Sequence, residues 1–167
     1  MFGGRGRVPP ELRPPLDRDE RVLGWAATAE GGAVVATSLG LFLPGWDGRL
    51  GWHEIHKAAW AGRALTVIPA AVVEEREGYR VTADQPPVSA SLLEPGDVPQ
   101  LVRTRVTRSV SLSSHHPVPG GGVRVVARRV PGVDGLSWAV RYDEGTDPYG
   151  PGVPEATAAL VASAASY

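Results

Sequence analysis

The chain has no cysteine, and it has only one lysine, Lys57, against 16 arginines. The absence of cysteine excludes disulfides, thiolate nucleophiles, cysteine-ligated zinc and iron–sulfur clusters. Net charge is also nearly absent, because 17 basic residues are balanced by 18 acidic ones. This balance excludes a highly basic coat for nucleic acid and an acidic solvating tail.

Long apolar runs are missing as well. The longest span about five residues, whereas a transmembrane helix needs roughly 20. No apolar segment of signal-peptide length follows the basic amino terminus. We therefore expect a cytoplasmic protein with no signal peptide and no transmembrane segment. Four prolines and three glycines among the first 15 residues predict a flexible arm over residues 1–19.

The first half of the chain consists of short, β-branched apolar segments separated by turn residues. The Glu30-Gly31-Gly32 turn predicts a hairpin, and residues 64–68 predict a buried strand. Residues 49–55 alternate roughly between polar and apolar and are also interpreted as a strand. Residues 74–78 predict a charged tip between two further strands. The spacing indicates an antiparallel β lobe, barrel-like or sandwich-like, over residues 20–94.

The second half has a different pattern. After Asp97, the valines Val102, Val106 and Val110 recur at every fourth position, which predicts a helix that turns to strand by Ser109. Residues 110–142 predict a three-stranded meander, and the Ala-rich residues 154–165 predict a terminal helix. The predicted fold class is therefore α+β: the β lobe is followed by an α-β-β-β-α extension over residues 95–167, packed on it.

Several short motifs between residues 20 and 68 carry a family resemblance. They are Glu20-Arg21-Val22-Leu23, Val34-Val35-Ala36-Thr37, Leu41-Phe42-Leu43, Gly51-Trp52-His53-Glu54-Ile55, Trp60 and Leu65-Thr66-Val67. In this order the segment resembles the bacterial pleckstrin-homology-like (PH-like) domains of the GRAM-related kind. It departs from them at Ser38-Leu39-Gly40, where many members have Arg-Leu after the Thr.

The resemblance implies a PH-like β barrel capped by a helix, a role that the segment after Asp97 can fill. It also implies a noncatalytic domain that binds lipid headgroups, peptides or partner proteins. No site residue is carried over from the family. The chain as a whole also resembles an actinobacterial protein, which implies no function.

His53-Glu54-Ile55-His56 resembles half of a zinc-protease motif. That motif needs histidines at its first and fifth positions, so that both lie on one helical face beside the glutamate. Here Lys57 occupies the fifth position, and histidines three apart on a strand point to opposite faces. We therefore expect a solvent-facing strand, no metal and no cofactor.

Ser113-Ser114 followed by His115-His116 suggests a small hydrolase as a distant alternative. A catalytic pair needs the base within hydrogen-bond reach of the nucleophile and a third group that orients the base. Adjacent residues at a strand end seldom meet this need, and the chain has no Gly-x-Ser-x-Gly elbow. We therefore assign no catalytic residue and interpret the segment as a polar strand terminus.

Charge is unevenly distributed along the second half. Residues 101–133 hold no acidic side chain, whereas residues 134–155 hold five. If helix and strand bring the arginines together, they form a patch for phosphate, RNA backbone or an acidic protein surface. The competing interpretation is that they pair with the acidic segment. The predicted patch consists of Arg103, Arg105, Arg108, Arg124, Arg128 and Arg129.

These patterns favour a noncatalytic adaptor module that contacts a protein partner through the Arg-rich patch. Electrostatic binding of nucleic-acid backbone or of an anionic membrane surface is the alternative. Trp25, Trp52, Trp60 and Trp138 are interpreted as core or rim packing. The oligomeric state is left open.

Overall fold

The computed structural model describes residues 3–4 and 7–166. The strands are β1 (Gly3–Gly4), β2 (Val22–Ala27), β3 (Ala33–Thr37), β4 (Gly40–Phe42), β5 (Leu50–Gly51), β6 (Ile55–Ala61), β7 (Ala64–Arg76), β8 (Tyr79–Asp84), β9 (Val88–Ser91), β10 (Val110–Val118), β11 (Gly121–Arg128) and β12 (Ser137–Tyr142). The described residues also form helices α1 (Val98–Ser109) and α2 (Val153–Ala165), and 3-10 turns at Pro10–Leu12 and Trp52–Glu54. The predicted α+β class is confirmed.

The chain divides into two compact units. The first comprises the described residues up to Pro69 together with Asp84–Arg108, and the second comprises Ala70–Ala83 and the described residues from Ser109 onward. These bounds differ from the predicted lobes of residues 20–94 and 95–167. The helix α1 belongs to the first unit, and β7 contributes residues to both.

The first unit contains an antiparallel sheet in the order β1-β2-β3-β4-β5. The predicted hairpin between β2 and β3 is confirmed. Its turn places Gly31 and Gly32 at φ 91° and 81°, in the left-handed region that favours glycine. The Thr28 hydroxyl donates to the Gly31 carbonyl at 2.6 Å and holds the turn.

A second group of strands in this unit is formed by β6 and β9, which both pair antiparallel with the first part of β7. The predicted helix after Asp97 is confirmed as α1, and β10 follows it directly. Buried side chains of α1 lie in one hydrophobic cluster with those of β6 and β7. Val98, Val102 and Val106 of α1 are four positions apart, so they lie along one face of the helix, and that face is buried.

The interpretation of residues 49–55 as one strand is wrong. Trp52–Glu54 forms a 3-10 turn between β5 and β6. Glu54 Oε1 accepts a hydrogen bond from the Gly51 amide at 2.8 Å, and the Trp52 indole donates to the Thr37 carbonyl at 3.0 Å. These two hydrogen bonds stabilise the turn, although the rough polar/apolar alternation of the segment is typical of a strand.

Part of the predicted 1–19 arm, residues 1, 2, 5 and 6, lies outside the described residues. Gly3 and Gly4 pair with Ala26 and Trp25 of β2. Val8 is buried in a cluster with Trp25, among others.

The second unit contains the predicted meander β10-β11-β12, which is antiparallel throughout. The strand β12 also pairs with β8 in parallel. Val123, Val125 and Val140 form a buried cluster with Val153 and Val161 of α2. The predicted charged tip is shorter than expected, because β7 continues through residues 74–76 and the turn begins after them.

Candidate functional site

The helix α1 has one buried and one exposed face. Val98, Val102 and Val106 form its buried stripe. The opposite face carries polar side chains spaced three or four positions apart, which makes them neighbours on the helix surface. Five of them line an open hollow of about 470 Å³: Gln100, Arg103, Thr104, Thr107 and Arg108.

A second hollow, of about 230 Å³, continues along the same helix. It shares Gln100 and Arg103 with the first, so the two form one depression, called here the α1 groove. Its remaining lining residues are Trp60, Pro95, Gly96 and Pro99. Trp60 projects from β6, is half-buried and packs against the core. The groove therefore has an apolar end and a cationic end.

The α1 groove carries two cations, Arg103 and Arg108. Among the residues that the structure describes, no carboxylate forms an ion pair with Arg103 or Arg108. By contrast, Arg49 pairs with the buried Glu20 at 2.9 Å in the same unit. Arg103 and Arg108 are both exposed, so their planar donor forks are free to bind an external oxyanion.

The other predicted patch residues lie elsewhere. Arg105 is half-buried on the flank of α1, beside the buried stripe. Arg124 and Arg128 belong to the second unit and, four positions apart on β11, point to the same face of the strand. Arg129 is exposed just beyond β11.

The two β11 arginines already hold hydrogen bonds. Arg124 donates to the Ser113 hydroxyl at 3.0 Å, and Arg128 donates to the Ser109 hydroxyl at 2.9 Å. Burial, and then the neighbouring charge of Arg141, lower the pKa of Arg128. These side chains are thus partly committed within the second unit.

The acidic segment that follows them has its own contacts. Asp143 lies 2.7 Å from His115, and Asp147 accepts a hydrogen bond from the Tyr149 amide at 2.9 Å. In the described part of the second unit, residues 134–155 form no ion pair with two of the predicted patch arginines of the same unit. These two are Arg124 and Arg129.

The Ser/His segment forms two separate hydrogen-bonded pairs. The Ser114 hydroxyl lies 2.8 Å from His116 Nε2, and His115 Nε2 lies 2.7 Å from Asp143 Oδ2. Neighbouring residues of β10 point to opposite faces, so His115 and His116 lie on different sides of the strand. Asp143 therefore orients His115, whereas it is His116 that contacts Ser114. The arrangement therefore lacks the serine–histidine–carboxylate chain of a hydrolytic triad.

The two histidines of the zinc-like motif lie in different structural elements. His53 lies in the 3-10 turn rather than on the expected strand, and His56 lies on β6 with its Nδ1 2.6 Å from Asp84 Oδ1. Within residues 3–4 and 7–166, no group of three histidine, aspartate or glutamate side chains gathers around a point that could hold a metal.

Sequence reasoning did not identify Trp60, Pro95 or Pro99 as part of a site. Trp60 was assigned to packing, which describes one of its contacts but not its place in the groove wall. A signal was present in Gln100, Thr104 and Thr107, which follow a helical spacing opposite the valines.

In the part of the chain that the structure describes, neither α-helix combines the length and the apolar character needed to cross a bilayer. Comparisons with family models, curated proteins and solved structures find no match to this chain.

Proposed function

We propose that this chain is a noncatalytic, cytoplasmic binding module that holds an acidic segment of a partner protein in the α1 groove. The observation that carries the proposal is the pair of exposed arginines, Arg103 and Arg108, which line one hollow without an acidic partner in the described residues. Guanidinium groups bind carboxylates through two parallel hydrogen bonds, so two of them define an acceptor for an acidic segment.

The apolar end of the α1 groove favours a protein partner. Trp60, Pro95 and Pro99 lie beyond Arg103, away from Arg108. A polypeptide can present carboxylates to the arginines and an apolar side chain to Trp60 at the same time. Interfaces commonly combine such an aromatic anchor with arginine contacts.

The order of elements in the first unit supports a PH-like assignment as part of this proposal. The strands come first, and α1 then buries Val98, Val102 and Val106 against their core. A helix that closes a β lobe is what the resemblance to PH-like domains implies. A noncatalytic role in binding peptides or partner proteins would follow from the same assignment.

The test is an affinity purification from the native cell with the tagged full-length chain and with its R103E/R108E variant. We expect a stoichiometric partner to be retained by the unmodified chain and lost from the variant, because both groove cations become repulsive. R18E/R21E is the matched control, since it reverses two exposed charges of the same unit outside the α1 groove. Equal recovery with R103E/R108E would disprove the proposed contact.

Electrostatic binding of nucleic-acid backbone or an anionic membrane surface is the second candidate, because the same exposed arginines attract phosphate. Salt and Trp60 separate the two candidates. Phosphate binding weakens steeply as salt rises, whereas a contact anchored on Trp60 persists and is weakened by W60F. If nucleic acid or lipid co-purifies with the chain, is released by salt and is unaffected by W60F, the second candidate is correct and the protein partner is not.

A further inference from the structure

Two neighbouring valines of β7 leave apolar surface uncovered. Val72 is 52% exposed and Val73 is 61% exposed. Successive side chains of a strand point to opposite faces, so this part of β7 is open to solvent on both faces of its sheet. Single exposed apolar side chains are common on proteins, but an apolar strand that lies open at a sheet edge is a site where another strand can add.

The two valines lie at an edge of the second unit's sheet. The strands of this unit follow the order β10-β11-β12-β8-β7. In the first unit, β7 pairs with β6 only as far as Pro69 and with β9 only as far as Val67. Among the described strands, residues 71–75, called here the β7 edge, have β8 as their one neighbour. Their other side therefore presents backbone N–H and C=O groups to a further strand.

The strand β10, at the opposite end of this sheet, has features that block such an addition. Its register with β11 is irregular near its first residues. Pro117 stands opposite Gly122, whose carbonyl accepts from the Asp143 amide at 3.0 Å. Gly122 therefore bonds away from β10, and Pro117, which has no N–H, faces outward. An irregular register and an outward proline protect an edge, whereas the β7 edge contains no proline.

The two carboxylates of the β7 edge are compensated within the chain. Glu74 accepts a hydrogen bond from Arg76 at 3.0 Å and another from the Tyr149 hydroxyl at 3.0 Å. Glu75 pairs with Arg80 at 3.1 Å. Charged side chains commonly keep a second strand away from an edge. Here both charges are partly neutralised, so the valines decide what the β7 edge attracts.

We propose that two copies of this chain pair through the β7 edge, antiparallel and across a two-fold axis at Val73, as a weak dimer. Such an axis stands perpendicular to the sheet, so each residue keeps its face and meets a residue an even number of positions away. Val73 then lies opposite Val73 of the second copy, Val72 opposite its Glu74 and Ala71 opposite its Glu75. The proposal does not depend on the α1 groove.

Charge and the limits of the β7 edge select this register. An axis at Glu74 or Glu75 would place a carboxylate directly opposite itself, which is unfavourable. An axis at Val72 would place Glu75 opposite Pro69, where β6 is already paired. With the axis at Val73, the two copies of this valine bury each other and no carboxylate faces another. The β7 edge is thus complementary to itself, which favours a second copy over an unrelated strand.

Sedimentation velocity on the full-length chain over a dilution series tests the proposal. One short strand from each copy makes a small interface, so the dimer should dissociate on dilution. We expect the sedimentation coefficient of the unmodified chain to rise with concentration and that of V73K to stay at the monomer value, because two like charges would meet on the axis. V133K is the matched control, since it places the same charge on another valine of the second unit that is 54% exposed, and it should behave as the unmodified chain does.

Mixing V73K with V73E separates a lost contact from a lost fold. The mixture should associate more than either variant alone, because opposite charges then meet across the axis. An unmodified chain that stays monomeric at every concentration, or equal association of V73K and V133K, would overturn the proposal. A mixture that associates no more than its components would show that position 73 does not lie on the axis and would overturn it as well.

Cysteine crosslinking tests the register independently, since the chain has no cysteine of its own. Residues directly opposite each other in an antiparallel pair have Cα atoms about 4.5–5.5 Å apart, a distance that a disulfide can bridge. Under mild oxidation, V73C should therefore form a covalent dimer in higher yield than V72C, whose two copies would lie about 7–8 Å apart on the diagonal. Equal yields from the two variants, or no crosslink in V73C, would refute the axis at Val73.

Discussion

The Arg76 guanidinium donates a hydrogen bond to the Tyr142 hydroxyl at 3.0 Å, although the two residues are 66 positions apart. It also donates to Tyr79 at 3.1 Å and lies 5.8–6.0 Å from the ring centres of Tyr79, Tyr142 and Tyr149. Burial lowers the pKa of Arg76. The interactions with Tyr79 and Tyr142 together raise it by more, so the pKa lies above its ordinary value. One cation thus joins β7, β8 and β12 in the second unit.

Replacing Arg76 with leucine should lower the free energy of unfolding by about 1–3 kcal/mol. The change leaves Glu74 and the hydroxyls of Tyr79 and Tyr142 without their shared donor. Urea denaturation measures the effect. The control is R80L, whose ion pair with Glu75 is largely exposed, and whose effect should stay within about 0.5 kcal/mol. A loss in R76L no larger than in R80L would contradict the prediction.

Tyr149 is 68% exposed, yet its hydroxyl donates to Glu74 Oε2 at 3.0 Å. This hydrogen bond and the charge of Glu74 raise the pKa of Tyr149 above its ordinary value of 10.0, and Arg76 opposes them. Because the folded state favours the protonated phenol, the contact stabilises the fold below about pH 10 and is lost as the pH rises through the raised pKa.

In E74Q, Tyr149 should titrate at a lower pH than in the unmodified chain, because the negative charge that opposes its ionisation is gone. Nuclear magnetic resonance titration of ring-labelled tyrosine measures this directly. E75Q, one position along β7, should leave the titration unchanged. Identical titration of Tyr149 in E74Q and the unmodified chain would show that the contact does not form in solution.

Local patterns predicted the elements whose stabilising contacts are close in sequence. The valine spacing at Val102 and Val106 located α1, and the Gly31-Gly32 turn located the first hairpin. The short strand β9 was not predicted, because Val88–Ser91 has little apolar pattern and forms by pairing with β7. The parallel pairing of β12 with β8 was also missed, since no local signal links residues as distant as Thr82 and Val140.

The candidate site was predicted only in part, for a related reason. Counting arginines along residues 101–133 grouped Arg103 and Arg108 with Arg124, but the structure assigns them to different compact units. Trp60 of β6 forms the wall that makes the surface beside the α1 arginines a groove. Charge counts along the chain do not report which strand lies beside a helix.

The buried carboxylate of Glu20 offers a test of the first unit. Its side chain is fully buried; it accepts from Arg49 at 2.9 Å, from the Asp17 amide at 3.0 Å and from the Thr37 hydroxyl. E20A should lower the free energy of unfolding by about 2–4 kcal/mol, because these donors lose their common acceptor. Thermal and urea denaturation measure this loss.

The control for E20A is D17N. Asp17 pairs with the same Arg49 at 3.2 Å, but its side chain is 65% exposed. Solvent screening should limit its effect to about 0–1 kcal/mol. Similar losses in E20A and D17N would mean that burial of Glu20 does not decide the strength of the contact.

Gly122 lies beneath the contact between His115 and Asp143. A Cβ atom at this position would stand 2.2 Å from Asp143 Oδ2 and 2.9 Å from His115 Nε2. G122A should therefore separate the pair. Because both side chains are about half exposed and can rotate away, the free energy of unfolding should fall by only about 0–1 kcal/mol. G150A is the control, because its Cβ would meet atoms no closer than 3.4 Å and the contact between His115 and Asp143 should stay intact. Denaturation measures the loss, and the His115 ring resonances report the broken contact. If G122A kept both the stability and the His115 resonances of the unmodified chain, the close approach of this pair to the glycine backbone would be refuted.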